Sequence, residues 1–478
     1  MKNLIGKKWL DASSMETIDV INPATGELID TVPSSEYEDV ERAVNEAKIA
    51  QIEWAKKSIY ERGEILLKFA ELVKENDEKL AVLLCKETGK PIKEARAEIA
   101  NVQISVRGFV EKARHSYGNV IPAGSELGQE KTIQLTVQEP LGVVACIIPF
   151  NFPIDLFGQK VPSALVMGNA VIVKPSSSNP LTIHMLGALL VEAGVTPGAI
   201  CVISGHGETV GQALADNKDV ALVSLTGSTS AGIQTMQTAA GHLAHVMLEL
   251  GGNDAFIFLE DGNMDFAIEE VVWGRLYNTG QVCCASKRFL IHNSRKDEFI
   301  DRLLERIADI QMGDPLDEDT DIGCLISEGA ARTIENQVNK TLDEGATLVA
   351  GGNRDGAFYD ITILDNVTKD MEVAKDMEIF GPVISIIGFE DIEEAIEIAN
   401  QSSFGLCGCV ITENMKDAFY VASRLEVGGA VINGASFYRS FEMPFGGWKH
   451  SGIGNEGISS TLKEMSRTKT IVLKNIME

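Results

Sequence analysis

The stretch GVVACIIPFNFPIDLFGQKVPSALVMGNAVIVK, residues 142–174, predicts the fold class. Its apolar runs Val143 to Ile148 and Ala170 to Val173 have the length of strands, and Ile154 to Met167 between them has the length of a helix. The alternation continues through a helix and two strands, at Leu181 to Glu192, Ile200 to Ile203 and Ala221 to Leu225. Short apolar strands that alternate with helices indicate βαβ units and a parallel sheet. Because such sheets bind ligands at the carboxyl ends of their strands, the turns after these strands are the expected site.

A second alternating series begins near Val246 and predicts a second α/β domain. Its strands are expected at Ala255 to Leu259, Val383 to Gly388 and Val410 to Thr412. Two segments stand apart from both series: Thr132 to Val137 alternates with a period of two, and Thr470 to Leu473 is another short apolar run. We expect them to form an exposed ribbon with an apolar face, which predicts self-association.

Two helices are predicted before the first series. Ser35 and Glu38 have the spacing of a capping box, so the first helix is expected to begin there. The second is expected from Glu61 to Glu87, and Gly89 and Pro91 end it.

The composition limits the partners. The chain has 478 residues and a net charge of −27, which disfavours nucleic acid and anionic membranes as partners. Its 8 cysteines have no second Cys or His pair at zinc-site spacing, so we expect no metal site. Reduced thiols and an N-terminus without an apolar leader predict a cytoplasmic protein. No apolar run is long enough to cross a bilayer.

A thiol and a carboxylate, each beside glycines, form the candidate catalytic pair. Cys283 ends the run from Asn278, and Glu249 opens a run that reaches Gly252. A thiolate can act as a nucleophile and a carboxylate as a base, and the side-chain amide of Asn151 can donate to a developing oxyanion. Simpler interpretations stay open, because a lone cysteine is usually a core residue and an asparagine often caps a helix.

Three turns after predicted strands are candidate phosphate or ribose contacts. Lys174 follows one strand, Gly207 and Gly211 follow the next, and the run from Gly227 to Gly232 follows the third. Backbone N–H groups at the start of a helix favour a phosphate there. None has the spacing of the usual dinucleotide fingerprint, so each can also be an ordinary turn or a solvated lysine.

Together these residues resemble the aldehyde dehydrogenase superfamily over essentially the whole chain. The resemblance lies in the order and spacing of Pro149-Phe150-Asn151-Phe152-Pro153, Lys174-Pro175-Ser176, Gly227-Ser228, Glu249-Leu250-Gly251-Gly252, Asn278-Thr279-Gly280-Gln281-Val282-Cys283, Glu378-Ile379-Phe380-Gly381-Pro382-Val383 and Pro444-Phe445-Gly446-Gly447. Within that superfamily, the Pro-Phe-Asn-Phe-Pro run and the loop from Ser436 to Glu442 are similar to those of lactaldehyde and succinate-semialdehyde dehydrogenases.

The resemblance implies an α/β fold in three parts. These are a Rossmann-like cofactor domain, a second α/β catalytic domain, and a protruding β-ribbon through which the protein forms a homodimer or a homotetramer. The cofactor domain is expected to comprise residues 1–118 and 140–251, and the catalytic domain residues 252–462. The ribbon is expected to comprise residues 119–139 and 463–478.

The resemblance also assigns roles to residues. Cys283 is expected to be the nucleophile and Glu249 the general base, and the side chain of Asn151 with the backbone N–H of Cys283 is expected to form the oxyanion hole. The residues expected at the cofactor, NADP or NAD, are Phe150, Asn151, Lys174, Ser176, Ser177, Gly207, Gly211, Gly227, Ser228, Leu250, Gly251, Glu378 and Phe380. Lys174 is expected at the adenosine ribose, Glu378 at the nicotinamide ribose, Phe380 near the nicotinamide, Gly227 and Ser228 at the pyrophosphate, and Gly207 near the adenine.

The implied reaction oxidises an aldehyde to a carboxylate through a thiohemiacetal and a thioester on Cys283, which water activated by Glu249 hydrolyses. Relatives that pass the acyl group to coenzyme A typically lack this glutamate, so its presence favours hydrolysis. Two alternatives stay open: a structural or binding protein with the same fold, and an acyl-transferring reductase. Many NAD-specific members have Glu where this chain has Ser177, so NADP is also expected to bind.

The expected substrate is a small polar aldehyde, lactaldehyde or a semialdehyde. By the resemblance, its entrance is expected to be lined by Leu156, Gln159 and Tyr277, by the loop from Ser436 to Glu442 that contains Arg439, and by Phe445. Arg439 is either a partner for a carboxylate or phosphate tail or an exposed arginine without an energetic contact.

Overall fold

The N-terminal part of the protein consists of four short strands followed by four helices. The structure, a computed structural model, describes residues 1–475; residues 476–478, the end of the expected ribbon segment, lie outside it. The strands are β1 (Asn3–Ile5), β2 (Lys8–Leu10), β3 (Thr17–Ile21) and β4 (Leu28–Pro33). The helices are α1 (Tyr37–Lys56), α2 (Ile59–Glu75), α3 (Asp77–Thr88) and α4 (Ile92–Arg114). None of the helices in residues 1–475 is long and apolar enough to cross a membrane.

The first alternating series forms as the sequence predicts. Two strands of the ribbon come first, β5 (Val120–Ile121) and β6 (Thr132–Pro140). The alternating elements are β7 (Val143–Ile147), α5 (Pro153–Val166), β8 (Ala170–Lys174), α6 (Leu181–Ala193), β9 (Ile200–Val202), α7 (Gln212–Asp216), β10 (Val220–Thr226), α8 (Thr229–Ala239) and β11 (His245–Glu249).

The second series contains most of the remaining elements. These are β12 (Asp254–Phe258), α9 (Met264–Leu276), β13 (Ser286–His292), α10 (Lys296–Ile307), α11 (Glu328–Asp343), β14 (Thr347–Ala350), β15 (Arg354–Asp355), β16 (Phe358–Tyr359), β17 (Thr362–Asp365), β18 (Val383–Phe389), α12 (Ile392–Asn400), β19 (Phe404–Gly405), β20 (Cys407–Ile411), α13 (Met415–Ala422) and β21 (Gly429–Ile432). The chain ends with β22 (Trp448–Lys449), β23 (Gly452–Ile453), α14 (Ile458–Glu464) and β24 (Ser466–Lys474).

The first sheet has the order β2-β1-β9-β8-β7-β10-β11-β23, and its five central strands are parallel. The chain order reverses between β7 and β10, which creates a crevice at their carboxyl ends. Glu249 closes β11 in this sheet. The second series therefore does not begin near Val246, as the sequence suggested, but at β12. Val246 has the apolar pattern of a strand, and periodicity alone does not say which sheet the strand joins.

The second sheet has the order β14-β17-β18-β13-β12-β20-β21 and is parallel except at β14. Buried apolar clusters cover both of its faces, as parallel strands require. The C-terminal chain then returns to the first sheet, because β23 pairs with β11 and Leu462 and Met465 lie in the first core. The observed mixed α/β architecture agrees with the predicted fold class.

The ribbon is a three-stranded antiparallel sheet, ordered β24-β6-β5. Its register runs from Ser466 opposite Pro140 to Lys474 opposite Thr132, so the two predicted segments are neighbours. Ile471, Val472 and Leu473 remain 40%, 51% and 37% exposed.

Candidate active site

A cavity of about 390 Å³ lies where the carboxyl ends of the first sheet meet the amino ends of the second. Asn151 reaches it from the turn after β7, Glu249 from the end of β11, and Cys283 from the segment before β13. The three residues predicted to be catalytic therefore share one cavity, although they are far apart in sequence.

The turn that carries Cys283 has an unusual backbone. Asn278, Thr279 and Gly280 follow one another in the left-handed region, with φ of 51°, 56° and 75°. This conformation is strained for a β-branched threonine. A Cβ on Gly280 would lie 2.4 Å from the carbonyl oxygen of Gly381, so only glycine fits there.

Buried polar contacts hold this turn against the Asn151 loop. The backbone N–H of Asn278 donates to Glu94 at 2.9 Å, and the Asn278 side chain donates to the Asn151 carbonyl at 2.9 Å. Lys90, paired with Glu98, donates to the same carbonyl at 2.9 Å. The Asn151 amide itself donates to the Gln281 carbonyl at 3.1 Å. Nucleophile and oxyanion donor are thus tied together by hydrogen bonds.

Cys283 is half-buried beside two cations. A hydrogen bond with the Cys284 thiol lowers the pKa of Cys283, and Lys287 and Arg439 lower it further, against the opposing effect of burial. Lys287 Nζ also donates to the Cys283 carbonyl at 2.6 Å. A lower pKa increases the fraction of reactive thiolate.

Glu249 is buried, and neither of its carboxylate oxygens has a hydrogen-bond partner among residues 1–475. Burial raises the pKa of Glu249 well above its usual value, and the nearby charge of Glu456 raises it further. A carboxylate with a raised pKa is a stronger base once it is ionised.

Glu456 and Lys160 form a buried ion pair behind Glu249 that the sequence analysis missed. Lys160 Nζ lies 2.8 Å from Glu456, and Arg439 lies 2.7 Å from it on the other side. Burial acts to raise the pKa of Glu456, but Lys160 and Arg439 outweigh it and the pKa is lowered. Lys160 was detectable, because a lysine inside a mainly apolar helix is rarely buried without a partner.

Lys174 ends β8 and is buried, and its ammonium group donates to no acceptor among residues 1–475. Burial lowers the pKa of Lys174 to about 8. Ser176 and Ser177 follow it and are partly exposed. Gly207 and Gly211 begin and end a single π-helical turn after β9. These predicted cofactor residues all lie at or just after the carboxyl ends of β8 and β9.

Gly227 and Ser228 follow β10 at the point where the strand order reverses. The N–H of Gly227 donates to the Glu249 carbonyl at 3.0 Å, and the Ser228 hydroxyl caps α8 by accepting from Ala231 at 3.3 Å. The first turn of α8 thus begins at the crevice, which suits a phosphate.

Glu378, which precedes β18 of the second sheet, reaches the same crevice. It accepts from the N–H of Gly252 at 3.3 Å and pairs with Lys287 at 3.2 Å. A Cβ on Gly251 would lie 2.5 Å from Glu378, so only glycine lets the Glu378 carboxylate come this close to the backbone. Leu250 is buried and packs against Gly232. The rings of Phe150 and Phe380 meet edge to face, with centroids 5.9 Å apart.

These features fit a dinucleotide. The crevice lies at the reversal of strand order, its turns contain glycines, and the buried Lys174 ammonium lacks a partner among the described residues. Within residues 1–475, no group of three or more His, Cys, Asp or Glu side chains is arranged to hold a metal ion.

All five residues predicted at the substrate entrance line the cavity. Tyr277 stacks on Phe152, with ring centroids 6.1 Å apart, and lies 5.1 Å from the ring of Phe437. Arg439 lies over the ring of Phe445 at 4.2 Å and is paired with Glu456, so it is not a freely solvated arginine. The sequence did not indicate the lining residues Asn101, Phe152, Asp155 and Trp273, whereas Phe437 belongs to the loop from Ser436 to Glu442 that was expected at the entrance.

Comparisons with known proteins agree with this geometry. The sequence profile described as the Aldehyde dehydrogenase family matches residues 9–471. The chain is 37% identical over 461 residues to 3-sulfolactaldehyde dehydrogenase of Priestia aryabhattai, covering 96% of each protein. It is 35% identical over 473 residues to lactaldehyde dehydrogenase of Methanococcus aeolicus, covering 98% of this chain and 99% of that protein. The crystal structure of betaine aldehyde dehydrogenase from Staphylococcus aureus in complex with NAD+ is 34% identical, with a TM-score of 0.96, and the match covers 100% of this chain and 95% of that one.

The resemblance found in the sequence is therefore confirmed, and the interpretation as a structural or binding protein is wrong. The chain belongs to the aldehyde dehydrogenase family and is an oxidoreductase that uses NAD or NADP to oxidise an aldehyde.

Proposed function

We propose that the protein converts an aldehyde to a carboxylate through a thioester on Cys283, which water activated by Glu249 hydrolyses. One observation carries the proposal: Cys283, Asn151 and Glu249 line one cavity, and both Glu249 oxygens lack a partner among the described residues. Leaving a buried carboxylate without hydrogen bonds costs free energy, so its retention favours a role in proton transfer.

In the first step, the Cys283 thiolate forms a bond to the aldehyde carbon, and the carbonyl oxygen becomes an oxyanion. The Asn151 side chain and the backbone N–H of Cys283 donate to that oxygen. Asn151 Nδ2 has two hydrogens and uses one on the Gln281 carbonyl, so the second remains for the oxyanion. Bound NAD or NADP supplies the two-electron acceptor that leaves a thioester on Cys283.

In the second step, Glu249 takes a proton from water as the water oxygen attacks the thioester carbon. The carbon–sulfur bond breaks, the carboxylate product leaves and the Cys283 thiolate is restored. Burial and the charge of Glu456 raise the pKa of Glu249, and Lys160 and Arg439, which pair with Glu456, act in the opposite direction without outweighing them.

For the cofactor, we propose the contacts that the resemblance implies. Lys174 and Ser177 lie at the adenosine ribose, Glu378 at the other ribose, and Gly227 with Ser228 at the pyrophosphate. Phe150, Asn151, Ser176, Gly207, Gly211, Leu250, Gly251 and Phe380 complete the proposed set. Ser177 places no carboxylate against a 2′-phosphate, which supports use of NADP as well as NAD.

For the surroundings of the enzyme, we propose a small polar aldehyde as substrate and the cytoplasm as location. All eight cysteines are free, which suits a reducing compartment. The exposed apolar side chains of the ribbon support a homodimer or a homotetramer. We also propose a cofactor domain of residues 1–118 and 140–251, a catalytic domain of residues 252–462, and a ribbon of residues 119–139 and 463–478.

Pre-steady-state kinetics of Glu249→Gln test the two steps separately. We expect a burst of reduced cofactor of about one equivalent per subunit, followed by steady-state turnover about 100-fold or more below wild type, since only hydrolysis needs the base. Cys283→Ala is expected to lose the burst as well. The exposed Glu413→Gln is the matched control and is expected to behave like wild type.

Full steady-state turnover of Glu249→Gln, or a burst in Cys283→Ala, would contradict the proposal. Adding coenzyme A distinguishes the acyl-transferring alternative. If the product is an acyl thioester of coenzyme A, the hydrolytic step is wrong.

A further inference from the structure

Two polar side chains in the wall of the cavity are not satisfied by the protein. Gln159 is 3% exposed, and its Oε1 accepts no hydrogen bond from residues 1–475. Asp155 lies one turn earlier on α5 and lines the same cavity, and its Oδ1 is likewise unpaired among these residues. Buried acceptors without donors cost free energy, so both favour a ligand that donates hydrogen bonds.

The charges around Asp155 disfavour an anionic ligand. Burial raises the pKa of Asp155 to about 7, and the charge of Glu98 acts in the same direction. Arg439 is the only cationic side chain of residues 1–475 that lines the cavity, and it is already paired with Glu456. The carboxylate tail of a semialdehyde would therefore lie near Asp155 with no unpaired cationic side chain to neutralise it.

A hydroxyl suits the site better than an ammonium group. Gln159 offers an NH₂ donor beside its acceptor, and a hydroxyl can both donate to Oε1 and accept from Nε2, whereas an ammonium group can only donate. An ammonium group would also meet the positive charge of Arg439, which is close enough to act on the pKa of Asp155. The stacked rings of Tyr277 and Phe152 provide an apolar surface for the carbon chain.

We infer that the substrate is an uncharged hydroxyaldehyde whose hydroxyl is bound by Gln159 and Asp155. The inference rests on the proposed function, since it places the substrate in the cavity that contains Cys283. It narrows the substrate class, because semialdehydes with an anionic tail become poor substrates.

The test is a comparison of kcat/KM for three-carbon aldehydes that have a hydroxyl, no polar tail group, a carboxylate or an ammonium group. The panel is lactaldehyde, propanal, malonate semialdehyde and 3-aminopropanal, each with NAD and with NADP. We expect kcat/KM for lactaldehyde to exceed each of the others about tenfold or more, because an analogue without the hydroxyl leaves buried polar groups unpaired.

Gln159→Leu identifies the residue responsible. We expect the ratio of kcat/KM for lactaldehyde to that for propanal to fall about tenfold in this variant, since Leu removes both hydrogen-bonding groups. Gln237→Leu, on the exposed surface of α8, is the matched control and is expected to keep the wild-type ratio. If Gln159→Leu does not fold, the wild-type panel still decides the outcome.

The outcomes separate this inference from the proposed function. Oxidation of all four aldehydes without a preference for lactaldehyde, or a preference for either charged aldehyde, overturns the inference and leaves the proposed function standing. If folded Gln159→Leu keeps the wild-type ratio of kcat/KM for lactaldehyde to that for propanal, Gln159 does not bind the hydroxyl. No reduced cofactor with any aldehyde overturns both.

Discussion

Lys174 and Glu249 each end a strand of the first sheet with a buried charge that has no partner among residues 1–475. Burial disfavours the charged form, so it moves the two pKa values in opposite directions. It lowers the pKa of Lys174 to about 8 and raises the pKa of Glu249 well above its usual value. Lys174 therefore changes charge near pH 8.

We predict that NADP binds more weakly as pH rises through 8, because Lys174, with a pKa of about 8 in the free enzyme, loses its proton there. Bound NADP is an anion, so it favours the ammonium form of Lys174 and raises the pKa of that group. Above pH 8 the complex therefore holds more protons than the free enzyme, and the affinity for NADP falls as pH rises. Titration calorimetry at pH 7 and pH 9 measures the change in Kd. In Lys174→Met the Kd is expected to be higher at pH 7 and to lose most of this pH dependence. An equally steep dependence in the variant would contradict the prediction.

Helix ends show where local sequence patterns are insufficient. Ser35 and Glu38 predicted a capping box, but the Ser35 hydroxyl accepts from Asn3 Nδ2 at 2.6 Å instead. Helix α1 begins two residues later, and Asp39 accepts from the N–H of Glu36 at 3.1 Å. The predicted helix from Glu61 to Glu87 is interrupted at Asn76, whose side chain donates to the Leu72 carbonyl at 2.9 Å. Asparagine competes with the backbone in this way and therefore favours helix ends.

The chain that enters α4 contacts both the Asn151 loop and the turn that carries Cys283. Lys90 pairs with Glu98 and donates to the Asn151 carbonyl, and Glu94 accepts from the N–H of Asn278. Burial raises the pKa of Glu94 to about 8. One short segment thus holds both the Asn151 loop and the turn of the nucleophile.

We predict that Lys90→Met lowers the free energy of unfolding by about 3–5 kcal/mol, because it leaves the buried Glu98 carboxylate without its cation. Lys93→Met removes an exposed ion pair with Asp321 and is expected to cost about 1 kcal/mol or less. Urea denaturation at neutral pH measures both variants. Equal effects of the two substitutions would show that the buried pair does not stabilise this segment.

At the level of the whole molecule, the two sheets face the cavity with opposite ends. The first sheet contributes the carboxyl ends of β7 and β11, and the second contributes the segment that precedes β13. The ribbon lies outside both sheets, and its strands expose apolar side chains on a chain with a net charge of −27. This exposed apolar surface is the basis of the proposed self-association.

We predict that Ile471→Asp combined with Leu473→Asp disrupts self-association, because the two side chains share one face of β24 and a buried aspartate has no partner there. Light scattering at physiological salt is expected to show a lower mass than for wild type. Ile49→Asp, at a 68% exposed isoleucine of α1, is the control and is expected to keep the wild-type mass. A wild-type mass in the double variant would mean that this face of the ribbon is not the interface.

The local order of the chain predicted β7, β8, β9 and β10 of the first sheet within a residue or two, and the runs around Asn151, Glu249 and Cys283 indicated the chemistry. Periodicity and turn residues act over a few positions, so sequence alone is sufficient for such features. The pairing of Lys160 with Glu456 joins residues 296 positions apart, and that of Glu94 with Asn278 joins residues 184 positions apart. Only folding brings such groups together, because a buried charge is stable in the interior only beside a partner.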